Sequence, residues 1–136
     1  MGYDHADTEH AGALHHVELC TSDLASSLDF WEWFLTELGY EQKDDWDGGR
    51  SWDRGPTYVV LKAATDDRPF DRRAAGLNHL AFHAKSRQQV DELTETVRER
   101  DDTSVLYEEQ HPYAGGYYAL YCESPAGMKV ELVGPA

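Results

Sequence analysis

The stretch Leu14-His15-His16-Val17-Glu18-Leu19 realigns on Leu77-Asn78-His79-Leu80-Ala81-Phe82, 63 residues further along the chain. Both blocks alternate as strands do, and both run through a polar Thr/Ser/Lys junction into a helical pattern. Self-similarity at a fixed offset means that one supersecondary unit is used twice. The 136-residue chain therefore divides into module one, about 13–64, a linker, about 65–76, and module two, about 77–134. The linker, TDDRPFDRRAAG, is charged and broken by a proline and a glycine. At this length the whole of 1–136 is expected to be a single domain with enough chain to bury a full core.

In module one, Leu24, Leu28, Trp31, Leu35 and Leu38 recur at spacings of four, three, four and three. That period predicts one apolar helix stripe, capped from Thr21, Ser22 or Asp23 and stopped by Gly39. Strands are expected at 13–20 and near 40–46, 50–54 and 57–63, with turn signals at Asp47-Gly48-Gly49 and Gly55-Pro56. Module two repeats the order. A strand at 77–84 precedes a helix opened by Ser86, with Gln89 as capping-box partner and Val90, Leu93 and Val97 as its stripe. Strands near 103–109, 116–122 and 128–133 follow. The fold class is α+β: two βαβββ modules whose mixed sheets form a cup with the helices outside. One helix per module covers one face of each sheet and leaves the other for the cup.

Alternation assigns the faces. Val17, Leu19, Leu80 and Phe82 are the apolar set for the helices, which turns His16, Glu18, Cys20, His79, Ala81 and His83 the other way. On the last strand Met128, Val130 and Leu132 are the covered set, leaving Lys129 and Glu131 on the open face. His16, His79 and Glu131 thus reach the inner face from three strands. Two imidazoles and a carboxylate on rigid strands, with vacant positions opposite, form a set that grips one divalent ion (Fe, Mn, Zn or Ni) and leaves room for substrate. Glu18 and His83 are candidates for general base and proton carrier. Arg50, Trp52 and Arg54 share a parity that, if inward, suits an anionic aromatic or carboxylate substrate, and Lys129 joins Arg50 and Trp52 as a substrate-binding candidate.

Asp and Glu total 26 against 12 Lys and Arg, a formal charge of minus 14. Such a chain repels phosphate backbones and anionic lipid surfaces, which excludes nucleic-acid and membrane roles. The acidity, with four lysines and no isoleucine, has the character of a halophilic proteome. No apolar run approaches the ~18 residues of a membrane span, and the start MGYDHADTEHAGALHH lacks the basic and apolar parts of a signal peptide. A cytoplasmic protein is expected, with Cys20 and Cys122 as thiols assigned to packing.

The stretches ALHHVELCTSDLASSLDFW, GLNHLAFHA and YYALYCESPAGMKVELVG resemble the vicinal oxygen chelate superfamily, which includes glyoxalase I, fosfomycin-inactivating thiol transferases, methylmalonyl-CoA epimerase, extradiol dioxygenases and bleomycin-binding proteins. The likeness spans about 13–134. It implies paired βαβββ modules and metal ligands at His16, His79 and Glu131. Glyoxalase I adds a fourth ligand on the last strand of module one, a position that aligns here with Leu61, which cannot ligate. The resemblance therefore favours dioxygenase-like or lyase/isomerase-like chemistry over four-ligand glyoxalase I. An extradiol-type signature runs from His111 through Leu120-Tyr121 and Ser124-Pro125-Ala126-Gly127 to Glu131, implying a catalytic Tyr121 and a substrate-orienting His111. It departs in its long gap, in Ser124, and in the absence of histidine from 40–76. Members commonly pair, sometimes exchanging modules, so a homodimer acting on a small molecule is expected. The alternative is a metal-free ligand-sequestering protein of the bleomycin-resistance type, with Trp46, Trp52, Tyr113, Tyr117 and Tyr118 as aromatic walls.

Overall fold

Each half of the repeat folds as a βαβββ module. The structure, a computed structural model, describes residues 9–66 and 68–136. Module one comprises β1 (His16–Thr21), α1 (Leu24–Glu37), β2 (Glu41–Trp46), β3 (Gly49–Arg54) and β4 (Thr57–Ala63). Module two comprises β5 (His79–His83), α2 (Arg87–Glu99), β6 (Ser104–Val105), β7 (Ala119–Glu123) and β8 (Lys129–Val133). The sheets have matching orders, β1-β4-β3-β2 and β5-β8-β7-β6. In each, the first strand runs parallel to the last and the remaining pairs are antiparallel. Strands β1 and β5 are therefore equivalent edges, and their alternating residues define one covered and one open face.

Local chemistry sets the helix ends. The Asp23 carboxylate accepts from the Ser26 amide at 3.3 Å, and Gly39 ends α1 at φ +93°. At α2 the Ser86 hydroxyl accepts from Gln89 N at 3.0 Å. The Gln89 side chain accepts from Lys85 N at 2.9 Å and donates to the Glu37 carbonyl at 2.9 Å, so a capping residue of one module also holds the other module's helix end.

Helix α1 is buried more widely than its expected stripe. Phe30, Trp31, Phe34 and Leu35 are almost fully enclosed, whereas Leu28 and Leu38 are half-buried. The reason is that α1 packs on both modules. It covers β3 and β4 of its own sheet, while Trp31 and Phe34 meet Phe82 of β5 at ring separations of 6.3 and 5.5 Å. Leu19, Val59 and Leu61 of the first sheet and Val130 and Leu132 of the second belong to one continuous core. The modules thus join through their covered faces, and both open faces point away from that core.

One strand is much shorter than expected, and register decides one face. The strand expected near 103–109 pairs only at Ser104–Val105. Beyond it Tyr107 takes φ +56° and the chain leaves the ladder, pinned to α2 where the Arg98 guanidinium reaches both Glu108 oxygens at 2.8 and 3.0 Å. On β3, Arg50 and Trp52 stand in register with Leu61 and Val59, on the covered face.

Candidate metal centre

Glu131 lies on the central strand β8, in register with Ala81 on β5 and Tyr121 on β7. Its neighbour is small on one side and aromatic on the other, so the carboxylate sits in a narrow recess at 4% exposure. His79, two residues before Ala81 on the same face, brings Nε2 to 3.3 Å from Glu131 Oε1. The other oxygen, Oε2, is buried without a hydrogen-bond partner. A buried carboxylate oxygen left unpaired is costly unless a cation or donor satisfies it.

The imidazole is oriented by its sequence neighbour. Asn78 Nδ2 donates to the Arg72 carbonyl at 3.2 Å, which directs Oδ1 toward His79 Nδ1 at 2.7 Å. An amide oxygen only accepts, so Nδ1 carries a proton and Nε2 is the nitrogen turned to the carboxylate. A ring nitrogen and a carboxylate oxygen thus face each other beside an oxygen with no partner among the described residues. Metal-ligating histidines characteristically donate their second ring nitrogen to an oxygen acceptor in this way. The donor set thus fits a divalent ion.

The rim is aromatic and cationic. Tyr121, 9% exposed, packs with Ala114 and Ala119 on the open face. Burial, followed by the approach to the Glu131 carboxylate, pushes its phenol up to about 12, so it stays a proton donor throughout the neutral range. Gly115, at φ +73°, leaves the space its hydroxyl occupies; a Cβ there would strike the oxygen. Lys129 Nζ is bonded to the Tyr107 hydroxyl at 2.8 Å and lies over the rings of Tyr107 and Tyr121 at 5.0 and 5.2 Å. A recess of about 330 Å³ opens against Glu131, lined also by Ala81, His83 and Tyr117. Sequence patterning missed Tyr107, whose left-handed backbone has no sequence signal, and Asn78, although its place beside His79 in the repeat was the available clue.

The other expected residues lie elsewhere. His16 occupies the open face of the first sheet, stacked on Tyr58 at 4.5 Å with Nδ1 engaged by His15 Nδ1 at 2.9 Å. Among the described residues no three His, Cys, Asp or Glu side chains gather as a metal site. Within one chain His79 meets Glu131, while His16 lies on the other sheet, stacked on Tyr58. Glu18 is paired with Lys62 at 2.6 Å, which holds its carboxyl below the usual range, and it has no contact with His83. His83 lies at the exposed end of β5 beside the recess. His111 sits toward α2, where burial and then the Arg98 charge lower its imidazole. Arg50 and Trp52 are turned inward under α1, both donating to Glu32 Oε1, at 3.2 and 2.8 Å, so they do not reach the open face. Register also corrects the fourth-ligand position. Glu18 pairs with Val60 as Ala81 pairs with Glu131, making Val60, rather than Leu61, the repeat equivalent of Glu131. Valine cannot ligate either. Of the proposed aromatic walls, Trp52 is buried in the core, Trp46 is exposed at the end of β2, Tyr113 packs edge-on to Tyr118, and Tyr117 lies beside Glu131.

Comparison with known proteins agrees with this architecture. The Glyoxalase/Bleomycin resistance protein/Dioxygenase superfamily profile matches residues 13–132. The uncharacterized protein YqjT of Bacillus subtilis is 46% identical over 128 residues, covering 90% of this chain and 99% of that protein. A Bacillus halodurans crystal structure, provisionally described as a glyoxalase, shares 48% identity with a TM-score of 0.90 over 95% of this chain and 100% of its own. Lactoylglutathione lyase from Agrobacterium tumefaciens, 23% identical with a TM-score of 0.60 over 90% of this chain and 93% of its own, shares the fold.

Proposed function

Because the chain belongs to the glyoxalase/bleomycin resistance protein/dioxygenase superfamily, we propose that it is a divalent-metal-dependent enzyme acting on a small substrate that offers two vicinal oxygens. The observation that carries this reading is the His79–Glu131 pair: a ring nitrogen held toward a carboxylate whose second oxygen is buried and has no partner among the described residues. A bound divalent ion would supply stabilisation of negative charge developing on a substrate oxygen. His79 and Glu131 would hold it from one chain, and His16 of a second copy would complete the set. The exposure of the His16 face and the joining of the modules through their covered faces support a site shared between chains.

The chain's own groups define what surrounds the substrate. The Tyr121 phenol, protonated at neutral pH, donates a hydrogen bond toward a substrate oxygen beside Glu131. Lys129 stands in register with His79, and its ammonium, held by Tyr107, places positive charge near the pair in a strongly acidic chain. A valine at the repeat equivalent of Glu131 favours dioxygenase-like or lyase/isomerase-like chemistry over the four-ligand glyoxalase I reaction.

Metal analysis of purified wild type, His79→Ala and Glu131→Gln tests this reading. Wild type is expected to retain a stoichiometric ion that both variants lose. The wild type is then offered catechols with Fe(II) under oxygen, and an α-ketoaldehyde with a thiol. Equal, near-zero metal in all three proteins after loading would overturn the proposal and favour metal-free ligand sequestration.

A further inference from the structure

Acidic groups outnumber basic ones by 26 to 12, so nearly every cation has a nearby partner. Seven of the twelve lysines and arginines form ion pairs with carboxylates. Three more lie over tyrosine rings: Lys43, Arg87 and Lys129. The two that remain, Arg54 and Lys85, have neither an ion pair nor a ring contact among the described residues, and both line the same cavity.

That cavity, about 800 Å³, is lined by residues of both modules, and neither His79 nor Glu131 is among them. Its volume falls in the ~300–1,000 Å³ range of small-molecule sites. Val17 and Val59 form an apolar wall on module one, and Leu80 and Phe82 form the facing wall on module two. Arg54 enters from the end of β3 and Lys85 from the residues after β5. Glu37 is the single carboxylate on the lining, so the two cations outnumber it. Tyr40 adds a phenol that burial pushes up, an effect the Arg54 charge partly offsets.

We infer that the cleft between the modules binds an apolar carboxylate, whose hydrocarbon body lies between the Val17/Val59 and Leu80/Phe82 walls and whose charge is met by Arg54 and Lys85. The inference uses neither His79 nor Glu131, although Ala81, Phe82 and His83 line both this cleft and the recess at Glu131. Occupancy would bridge both modules and stabilise their junction.

The test is calorimetric titration of the full chain with 4-phenylbutyrate and with 4-phenylbutanol, in EDTA so that no metal-bound carboxylate is counted. The acid is expected to bind about tenfold more tightly than the alcohol, the margin of one charge-assisted contact. Arg54→Gln and Lys85→Gln are each expected to weaken the acid severalfold and leave the alcohol unchanged. Arg54 also lies against Gly39 at the end of α1, where a Cβ would come within 3.2 Å of its Nε. If Arg54→Gln lowers Tm without changing acid binding, its role is to cap α1 and the inference fails. Equal binding of acid and alcohol, or binding of neither, would also overturn it.

Discussion

Asn78 determines which nitrogen of His79 faces Glu131. Its amide is anchored by the Arg72 carbonyl, so the oxygen meets His79 Nδ1. Outer partners of metal-bound histidines typically contribute about 10–100-fold in metal affinity. Asn78→Ala is expected to weaken metal binding by that order, measured by competition with a chromophoric chelator, whereas Asn78→Asp keeps the acceptor and recovers most of it. Unchanged affinity in Asn78→Ala would show that the imidazole needs no such support. At this scale, strand parity and the repeat made the shared face of His79 and Glu131 legible, since a period of two allows only two orientations. Tyr107 was not legible, because a left-handed non-glycine residue is imposed by its surroundings. The ion pair that occupies Glu18 was equally hidden: Lys62 lies forty-four residues away in sequence, and cross-strand partners follow from register.

Helix α1 shows where periodicity falls short. A stripe of leucines and one tryptophan marked a helix with one buried face, yet Phe30 and Phe34 are buried as well because the second module covers them. Patterns report how much surface an element hides, not which neighbours hide it. The same limit left the face of Arg50 and Trp52 undecided: two polar-capable side chains on a covered strand look like an open one until Glu32 is seen to bind both. Trp52 is fully buried, so its indole N–H depends on that carboxylate. Glu32→Ala is expected to destabilise the chain by about 1–3 kcal/mol, the cost of stranding a buried donor. Glu32→Gln, which retains an acceptor, should lose much less. Urea unfolding with an unchanged m-value checks this, and identical midpoints for Glu32→Ala and wild type would contradict it.

For the whole molecule, the internal repeat made the topology legible, and the two sheets have the same strand order. What it left open was whether His16 shares a cup with His79 and Glu131 of its own chain or of a second copy, because a repeat is silent about which module faces which. They join through their covered faces, which separates His16 from His79 and Glu131. The net charge of minus 14 also acts at this scale, through self-repulsion that salt screens. Tm is expected to rise between dilute buffer and molar salt; a Tm independent of salt would show that repulsion contributes nothing.

The most direct measurement uses two differently tagged chains, one carrying His16→Ala and the other His79→Ala, refolded together and purified through both tags. Each variant alone should bind no metal stoichiometrically. The mixed dimer should regain one ion, held by His16 from one chain with His79 and Glu131 from the other. A mixed dimer as empty as its parents, beside a fully loaded wild type, would contradict a centre shared between two copies.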